Sequence, residues 1–463
     1  MVYVLEMTSP SSPDFCDHAP TWLLFQRVLP DRFFEQLSLE LGLPSRQGIY
    51  SVAIVIWLMI YQRLHSKGTL SSTVHWLARH AAQLPQAQPC LRVRQNRIST
   101  HTGGYCQARQ KLPTLVVTRV MDQLFTQLQQ QMRETRPEVP RPMFVVDGTT
   151  LRTPAGKALA AAFPPGHNQH GENHWPTMLV VGFHDAHTGL ATRPSWGAMY
   201  GDHATSEQRL AAQALASLPA DAVVMGDGNF GIFAFAHTVL QTQRPVLLRL
   251  TETRAGKVLA GNRLRPGRRR RLVWQASAWD RRGHPELPAQ AQVEGWLIAC
   301  RNPGRPDEIL YFFTTLDLKP TRILALYKLR WNIETDLRSL KRTVDLHQLT
   351  SQTVSMVEKE LLAAVSAYNL IRAFMYLAAR EAGVSPRQLS FSTCQDAVMA
   401  ALPDLLRART ERQWQREMER LLPVLIQAKL PTRARRRSYP REIWGRGGHF
   451  PCRRSAPVQE PGR

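Results

Sequence analysis

Cysteines are few and unpaired in this 463-residue sequence. The six cysteines stand at scattered positions: Cys16, Cys90, Cys106, Cys300, Cys394 and Cys452. Since no two of them form a Cys-x-x-Cys pair, the spacing argues against a disulfide framework and against a thiolate zinc site. We therefore expect reduced thiols in the cytosol.

Long hydrophobic runs are also missing. The longest apolar run, Ile49 to Tyr61, is shorter than the roughly 18 to 20 residues that a membrane-spanning helix requires. It is typical of a buried helix. The first 19 residues carry Glu6, Asp14 and Asp17 in place of a basic run and an apolar core, so no cleavable signal is predicted.

Acidic residues are outnumbered by basic ones. The chain has 36 Asp and Glu against 59 Lys and Arg, which gives a formal net charge of +23 and a pI of about 10.5. Such an excess favours a polyanionic partner, and nucleic acid is the first candidate. The length exceeds that of one ordinary core and predicts two or three domains.

The hydrophobic pattern changes along the chain. Residues 20–135 carry apolar residues at helical spacing. Short apolar runs then alternate with a helical stretch at Ser206 to Leu218, and this alternation predicts an α/β sheet. The predicted strands are Met143 to Val146, Thr177 to Phe183, Ala222 to Met225 and Pro245 to Leu250. Further β-rich runs follow within residues 253–315, before helices resume.

The segment from Ala325 to Leu346, read as one helix, has two faces. The apolar face comprises Leu326, Leu329, Ile333, Leu337, Leu340 and Val344. The opposite face comprises Tyr327, Arg330, Glu334, Arg338 and Lys341. A carboxylate flanked by cations suits a helix that offers a metal ligand and phosphate contacts. A solvated face with i,i+4 ion pairs is the alternative interpretation.

Three carboxylates form the candidate catalytic set. Asp147 and Asp227 each follow a predicted core strand, and Glu334 lies on the charged helix face. Hard oxygen ligands of this kind suit a pair of Mg²⁺ ions, whereas an isolated Asp-Gly is more often a turn. Asp185, in a predicted turn, and Asp221, before its strand, are weaker candidates. Asp336 is also weaker, because it lies across the helix from Glu334.

The same helix carries a known signature. Tyr327, Arg330, Glu334 and Lys341 fit the pattern Tyr-x2-Arg-x3-Glu-x6-Lys, which resembles the IS4-type DDE transposases of bacterial insertion sequences. Four further matches support the resemblance: Asp-Gly-Thr at 147–149, Asp-Gly-Asn-Phe at 227–230, the segment 102–109 and Tyr-Asn-Leu-Ile-Arg at 368–372. The resemblance covers roughly residues 20 to 445.

The resemblance implies a mechanism and a site. It implies Asp147, Asp227 and Glu334 as ligands of two Mg²⁺ ions, for which Mn²⁺ can substitute. Phosphate contacts are expected from Tyr327, Arg330, Lys341 and Arg249, the last ending a predicted strand. Arg109 and Lys111 are expected to recognise the DNA ends of the insertion sequence (the element ends), because their basic segment precedes the catalytic core.

The resemblance also implies an architecture: an RNase H-like catalytic core with a β-rich insertion, flanked by a helical N-terminal DNA-binding region and C-terminal helices. The expected segments are an N-terminal extension (1–19), the helical region that binds element ends (20–140), the first part of the core (141–252), the β-rich insertion (253–318), the second part of the core with the Glu helix (319–385), C-terminal helices (386–430) and a basic, partly disordered tail (431–463).

Two other features have ordinary explanations. The histidines His167, His170 and His174, with Glu172, lie in a polar loop, which is more often solvated than a zinc site. Trp274, Trp279 and Trp296 are candidates to stack on a flipped base, although each is more often a core residue.

Three functions are compatible with these patterns. The first is a transposase that cuts its own terminal inverted repeats and joins them to target DNA by a cut-and-paste mechanism, as a homodimer on paired ends in the bacterial cytoplasm, associated with the nucleoid and not with a membrane. The second is a catalytically inactive, sequence-specific DNA-binding relic. The third is an RNase H-like nuclease. We rank them in that order because all three acidic positions and all four signature positions are filled.

Overall fold

The structure is a computed structural model that describes residues 28–43, 48–65, 68–81, 90–95, 97–136, 141–168, 171–347, 349–408 and 410–430. The expected extension at residues 1–19 and the expected tail at 431–463 lie outside the described residues. The basic run Arg433 to Arg437 lies outside them too.

Helices precede and follow the sheet. The first six are α1 (Asp31–Glu40), α2 (Val52–Leu64), α3 (Leu70–His80), α4 (Leu91–Arg94), α5 (Gly103–Lys111) and α6 (Thr114–Glu134). Five lie among the strands: α7 (Lys157–Ala162), α8 (Glu207–Ala214), α9 (Phe233–Gln241), α10 (Glu252–Val258) and α11 (Ala278–Gly283). The last five are α12 (Pro320–Tyr327), α13 (Asn332–Arg342), α14 (Val354–Glu381), α15 (Phe391–Arg407) and α16 (Glu411–Gln427).

Eight strands form one mixed sheet. They are β1 (Met143–Arg152), β4 (Thr177–Asp185), β5 (Ser195–Ala198), β6 (Val223–Gly226), β7 (Val246–Leu250), β8 (Arg269–Gln275), β9 (Gln292–Asn302) and β10 (Arg305–Thr314). Their order is β5-β4-β1-β6-β7-β10-β9-β8. β6 runs parallel to β1 and to β7, whereas every other pair is antiparallel. A small hairpin joins β2 (His167–Asn168) to β3 (Gly171–Glu172).

Strand β1 extends beyond the predicted run. The apolar residues end at Val146, but the strand continues to Arg152 because its second half pairs with β4. Asp147 therefore lies inside the strand, opposite Gly182, and the prediction that it follows a strand end was wrong. Asp227, in contrast, does follow the last residue of β6.

The predicted helix from Ala325 to Leu346 is interrupted. Helix α12 ends at Tyr327, a 3-10 turn spans Lys328–Trp331, and α13 begins at Asn332. The single-helix prediction was therefore wrong. Tyr327, the last residue of α12, is 5% exposed and belongs to the hydrophobic core, whereas Glu334 of α13 is exposed.

Helix α14 is the central helix of the larger core. It is long and apolar enough to cross a membrane, yet the whole of its apolar window is buried inside the protein. It also buries charged groups that contact the N-terminal helices. Lys359 Nζ donates to the carbonyl oxygen of Arg109 at 3.1 Å, and Glu360 pairs with Arg63 of α2. These contacts identify α14 as the core helix of a globular fold.

A buried ionic network links α13 to α14. Asp336 is fully buried and accepts hydrogen bonds from Arg372 and Arg387, while His184 Nδ1 lies 3.6 Å from its second oxygen. Burial raises the pKa of Asp336, but the charges of Arg387 and Arg372 outweigh this effect and lower it. Burial likewise lowers the pKa of His184 to about 4. Asp336 thus anchors α13, which agrees with its being a weaker candidate for a metal ligand than Glu334.

Candidate active site

Three predicted site residues lie in one row across the sheet. Val145 of β1 pairs with Met225 of β6, and Met225 pairs with Leu247 of β7. Asp147, Asp227 and Arg249 each follow these partners by two residues. Because side chains alternate between faces with period two, Asp147 and Arg249 project from the same face of the sheet, and Asp227 lies just past the end of β6, the strand between theirs.

The two aspartates influence each other electrostatically. The pKa of Asp147 is raised to about 6, chiefly by burial and then by the charges of Asp227 and Glu207. The backbone N–H of Gly148, which donates to Asp147 Oδ1 at 2.8 Å, and the charge of Arg330 act in the opposite direction. A carboxylate with so little compensation is a favourable ligand for a divalent cation.

Glu207 is a third carboxylate close to the two aspartates, and its position was not predicted from the sequence. It begins α8 after Ser206, whose side chain accepts from the backbone N–H of Arg209. Burial and then the charge of Asp227 raise the pKa of Glu207, while a hydrogen bond from Asn229 lowers it. The local pattern gave no signal, since an acidic residue in the first turn of a helix is ordinarily explained by the helix dipole.

Glu334 forms an ion pair with Arg330, and the charge of Arg330 in turn acts on Asp147. Arg330 Nη2 lies 3.4 Å from Glu334 Oε1, and the Glu334 side chain is 43% exposed. Throughout the described part of the chain, no three His, Cys, Asp or Glu side chains are close enough together to hold a metal ion. The structure therefore brings Asp147 and Asp227 together but does not bring Glu334 into ligand distance of them.

The cations beside the acids come from two elements. Arg330 is partly buried, and its Nε has no hydrogen-bond partner among the described residues. Arg249 of β7 pairs with Glu308 of β10 at 3.0 Å. Burial raises the pKa of Tyr327, and the charges of Arg330 and then Arg249 lower it. Tyr327 packs against Phe312 with ring centroids 4.7 Å apart.

Lys341 of α13 has another cation as its neighbour. Burial and then the positive charge of Arg152 lower its pKa, so these two cations are neighbours. Arg152 is exposed at the end of β1 and was missed as a candidate. It lines a cavity of about 420 Å³ together with Trp175 and His347.

Arg109 and Lys111, the residues predicted to recognise the element ends, differ in exposure. Arg109 is half-buried with its guanidinium 5.1 Å from the centre of the Tyr105 ring, and Lys111 at the end of α5 is exposed. Of the tryptophans, Trp274 is 8% exposed and Trp279 is 76% exposed, while Trp296 stacks against Arg269 at 4.1 Å.

Trp331, the residue after Arg330, is 60% exposed. In the histidine loop, His167 and Glu172 pair across the small hairpin, and His170 lies outside the described residues. The four cysteines of the described ranges, Cys90, Cys106, Cys300 and Cys394, are free.

A mixed α/β sheet that sets two aspartates side by side, with arginines near them, is typical of enzymes that act on nucleic-acid phosphates. The profile of the family described as "Transposase DDE domain" matches residues 139–370. The chain is also 27% identical over 412 residues, 86% of each chain, to "Transposase InsG for insertion sequence element IS4" of Escherichia coli (strain K12). The chain belongs to the DDE transposases, of the IS4 type.

Proposed function

We propose that this transposase cuts the ends of its own insertion sequence and joins the freed 3′-hydroxyls to target DNA, with Asp147, Asp227 and Glu334 as the ligands of two divalent cations. The observation that carries the proposal is the proximity of Asp147, inside β1, and Asp227, just past the neighbouring β6, which is close enough for the charge of Asp227 to raise the pKa of Asp147.

The sheet topology supports an RNase H-like core. Such a core has three antiparallel strands followed by two parallel ones, with the first strand central. Strands β5, β4 and β1 are antiparallel neighbours, and β6 and β7 continue from β1 in parallel. Strands β8 to β10, within the proposed insertion at residues 253–318, lengthen the same sheet beyond β7. The remaining segment boundaries stay predictions.

The donor set fits Mg²⁺. Carboxylate oxygens are the hard ligands that this ion prefers, and Mn²⁺ accepts the same ligands. Asp147 and Asp227 would hold one ion between neighbouring strands, and Glu334 would complete the site after separating from Arg330. When bound, the ions activate the attacking oxygen and stabilise the leaving one.

The cations of the chain have a complementary role. The unpaired Nε of Arg330 and the nearby Lys341 and Arg152 would hold the phosphates on either side of the cut strand. Fixing the backbone in this way aligns the scissile bond with the carboxylates. Since two ends must be held together before joining, we further propose a homodimer on paired terminal repeats, acting in the cytoplasm.

Single isosteric substitutions test the proposal. Asp147→Asn, Asp227→Asn and Glu334→Gln should each abolish strand cleavage of end DNA, because each removes one charged ligand. Binding to the same DNA should stay nearly intact, since the phosphate contacts are untouched. Cleavage and gel-shift assays on the full chain measure the two properties, and retained cleavage in one variant would remove that residue from the site.

A further inference from the structure

The chain that follows α13 folds back on the backbone of Lys341. The N–H of His347 donates to the carbonyl oxygen of Lys341 at 3.1 Å, and His347 Nδ1 lies 2.8 Å from the same oxygen. Two residues further on, the N–H of Leu349 donates to the carbonyl oxygen of Arg152 at 3.3 Å. The position of this chain therefore affects both Lys341 and Arg152. The post-α13 segment comprises residues 343–347 and 349–351.

Arg63 of the N-terminal helix α2 holds the post-α13 segment in two ways. Its Nη1 donates to the carbonyl oxygen of Asp345 at 3.3 Å, and its Nη2 pairs with the carboxylate of Glu360 on α14. That carboxylate accepts from the backbone N–H groups of Thr350 and Ser351, at 3.1 and 3.0 Å. The side chains of Arg63 and Glu360 are 9% and 5% exposed. One buried guanidinium thus contacts the segment directly and also through its counter-charge.

The backbone at Asp345 depends on contacts of this kind. Its φ is 57°, in the left-handed region that residues other than glycine adopt at a free-energy cost. Such a conformation persists where the surrounding structure stabilises it. Gln395 of α15 supplies a further contact, because its Nε2 donates to the carbonyl oxygens of Thr343 and of Leu64 in α2. The end of α2 and the post-α13 segment are therefore joined by two side chains.

We infer that Arg63 is a positioning residue, which fixes the post-α13 segment and through it the backbone of Lys341, so that the ammonium group meets a DNA phosphate. This inference rests on the proposed function, because it assumes that Lys341 holds a phosphate beside the cut. Since α2 lies within the helical region proposed to bind the element ends, Arg63 joins that region to a signature residue. A residue that only stabilised the fold would act independently of Lys341, and this difference can be measured.

The test is a double-mutant cycle on the cleavage of end DNA by the full-length protein. Arg63→Lys keeps a positive charge beside Glu360 but loses the fork that also reaches Asp345. At saturating DNA it should lower the single-turnover cleavage rate by about tenfold, because the phosphate contact is misplaced. In a Lys341→Ala background it should cause no further loss, since the group that it positions is already gone. An equal loss in both backgrounds would overturn the inference.

The matched control is Arg133→Lys. Arg133 lies on α6, another N-terminal helix, and its Nη1 donates to Asp221 Oδ1 at 3.1 Å as part of a two-pronged ion pair. The control loses a comparable fork whose partner lies outside the post-α13 segment. Because this pair is exposed, the cleavage rate should stay within about threefold of the native rate. A tenfold loss in the control would contradict a specific role for Arg63.

A second pair of variants disturbs the segment without altering Arg63. Asp345→Gly and Asp345→Val both remove a carboxylate that is 50% exposed, but only glycine adopts a φ of 57° without strain. The valine variant should therefore cleave about tenfold more slowly than the glycine variant. The difference should vanish in the Lys341→Ala background. Equal rates for the two variants would show that the segment does not position Lys341, even if Arg63→Lys failed to fold.

Lys341→Ala alone separates the two possible failures. If it lowers the cleavage rate at saturating DNA while Arg63→Lys and Asp345→Val do not, only the inference fails. If Lys341→Ala leaves the rate unchanged, the proposed phosphate contact of Lys341 fails, and the inference fails with it.

Discussion

Arg330 Nη2 lies 3.4 Å from Glu334 Oε1, and the guanidinium also stacks over the exposed Trp331 ring at 4.7 Å. The proposed metal ligand is thus paired with the proposed phosphate ligand, one helical turn away. An i,i+4 pair whose carboxylate is 43% exposed is worth only about 0.3 to 0.5 kcal/mol. A DNA phosphate can therefore replace Glu334 as the partner of Arg330 at little cost.

We predict that Arg330→Ala lowers the cleavage rate at saturating DNA by roughly 10- to 100-fold, because the phosphate beside the cut loses its fixed contact. Arg338→Ala is the matched control, since Arg338 is exposed one turn beyond Glu334. It should change mainly the salt-dependent affinity. Single-turnover cleavage measures both, and equal rates in the two variants would contradict a positioning role for Arg330.

Substitutions of two acidic residues on α13 should affect stability to very different extents. Asp336→Asn should lower the free energy of unfolding by about 3 to 5 kcal/mol, because Arg372 and Arg387 would lose their buried counter-charge. Glu334→Gln should change it by no more than about 0.5 kcal/mol, since that side chain is largely exposed. Denaturant unfolding of the full chain gives both values. A stable Asp336→Asn protein would show that the network does not anchor α13.

The raised pKa of Asp147 predicts a pH-dependent cost to stability. Its folded-state pKa, about 6, exceeds the ordinary value of 3.8, so the folded chain binds the proton more tightly than the unfolded chain. The stabilising contribution of protonated Asp147 is therefore fully present below about pH 4 and is lost as pH rises through 6. In chelator, Asp147→Asn should exceed the native chain in stability by roughly 1 to 2 kcal/mol at pH 7 and by nothing at pH 4. Asp396→Asn, an exposed change on α15, should show no such trend.

Local pattern was sufficient for some elements and insufficient for others. The runs Thr177 to Phe183 and Pro245 to Leu250 appear as β4 and β7, because buried strands need continuous apolar sequence. The second half of β1 could not be predicted, since its Gly-Thr-Thr sequence becomes a strand only by pairing with β4. The break at Lys328–Trp331 is equally hidden, because those residues all tolerate a helix.

The same division applies to the site. Asp147 and Asp227 were recognisable from their Asp-Gly motifs, but their common row depends on the parallel pairing of β1 with β6, which joins residues far apart in sequence. Glu207 was hidden because its partners, Gly148 and Asn229, lie on other segments of the chain. No short pattern contains such a contact.

The N-terminal helices should read the element ends, and the structure decides how this must be tested. A fragment ending near residue 140 would lose the contacts of α14 with Arg109 and Arg63, so the full chain is required. Lys111 and Arg97 are exposed, and neither contributes to the metal site. Replacing both with alanine should weaken binding to the terminal repeat by about tenfold more than binding to scrambled DNA at 150 mM salt, a level at which phosphate contacts alone give Kd of roughly 10⁻⁴ to 10⁻⁶ M. An equal loss on both DNAs would assign these residues to the phosphate backbone alone and move sequence recognition to another part of the chain.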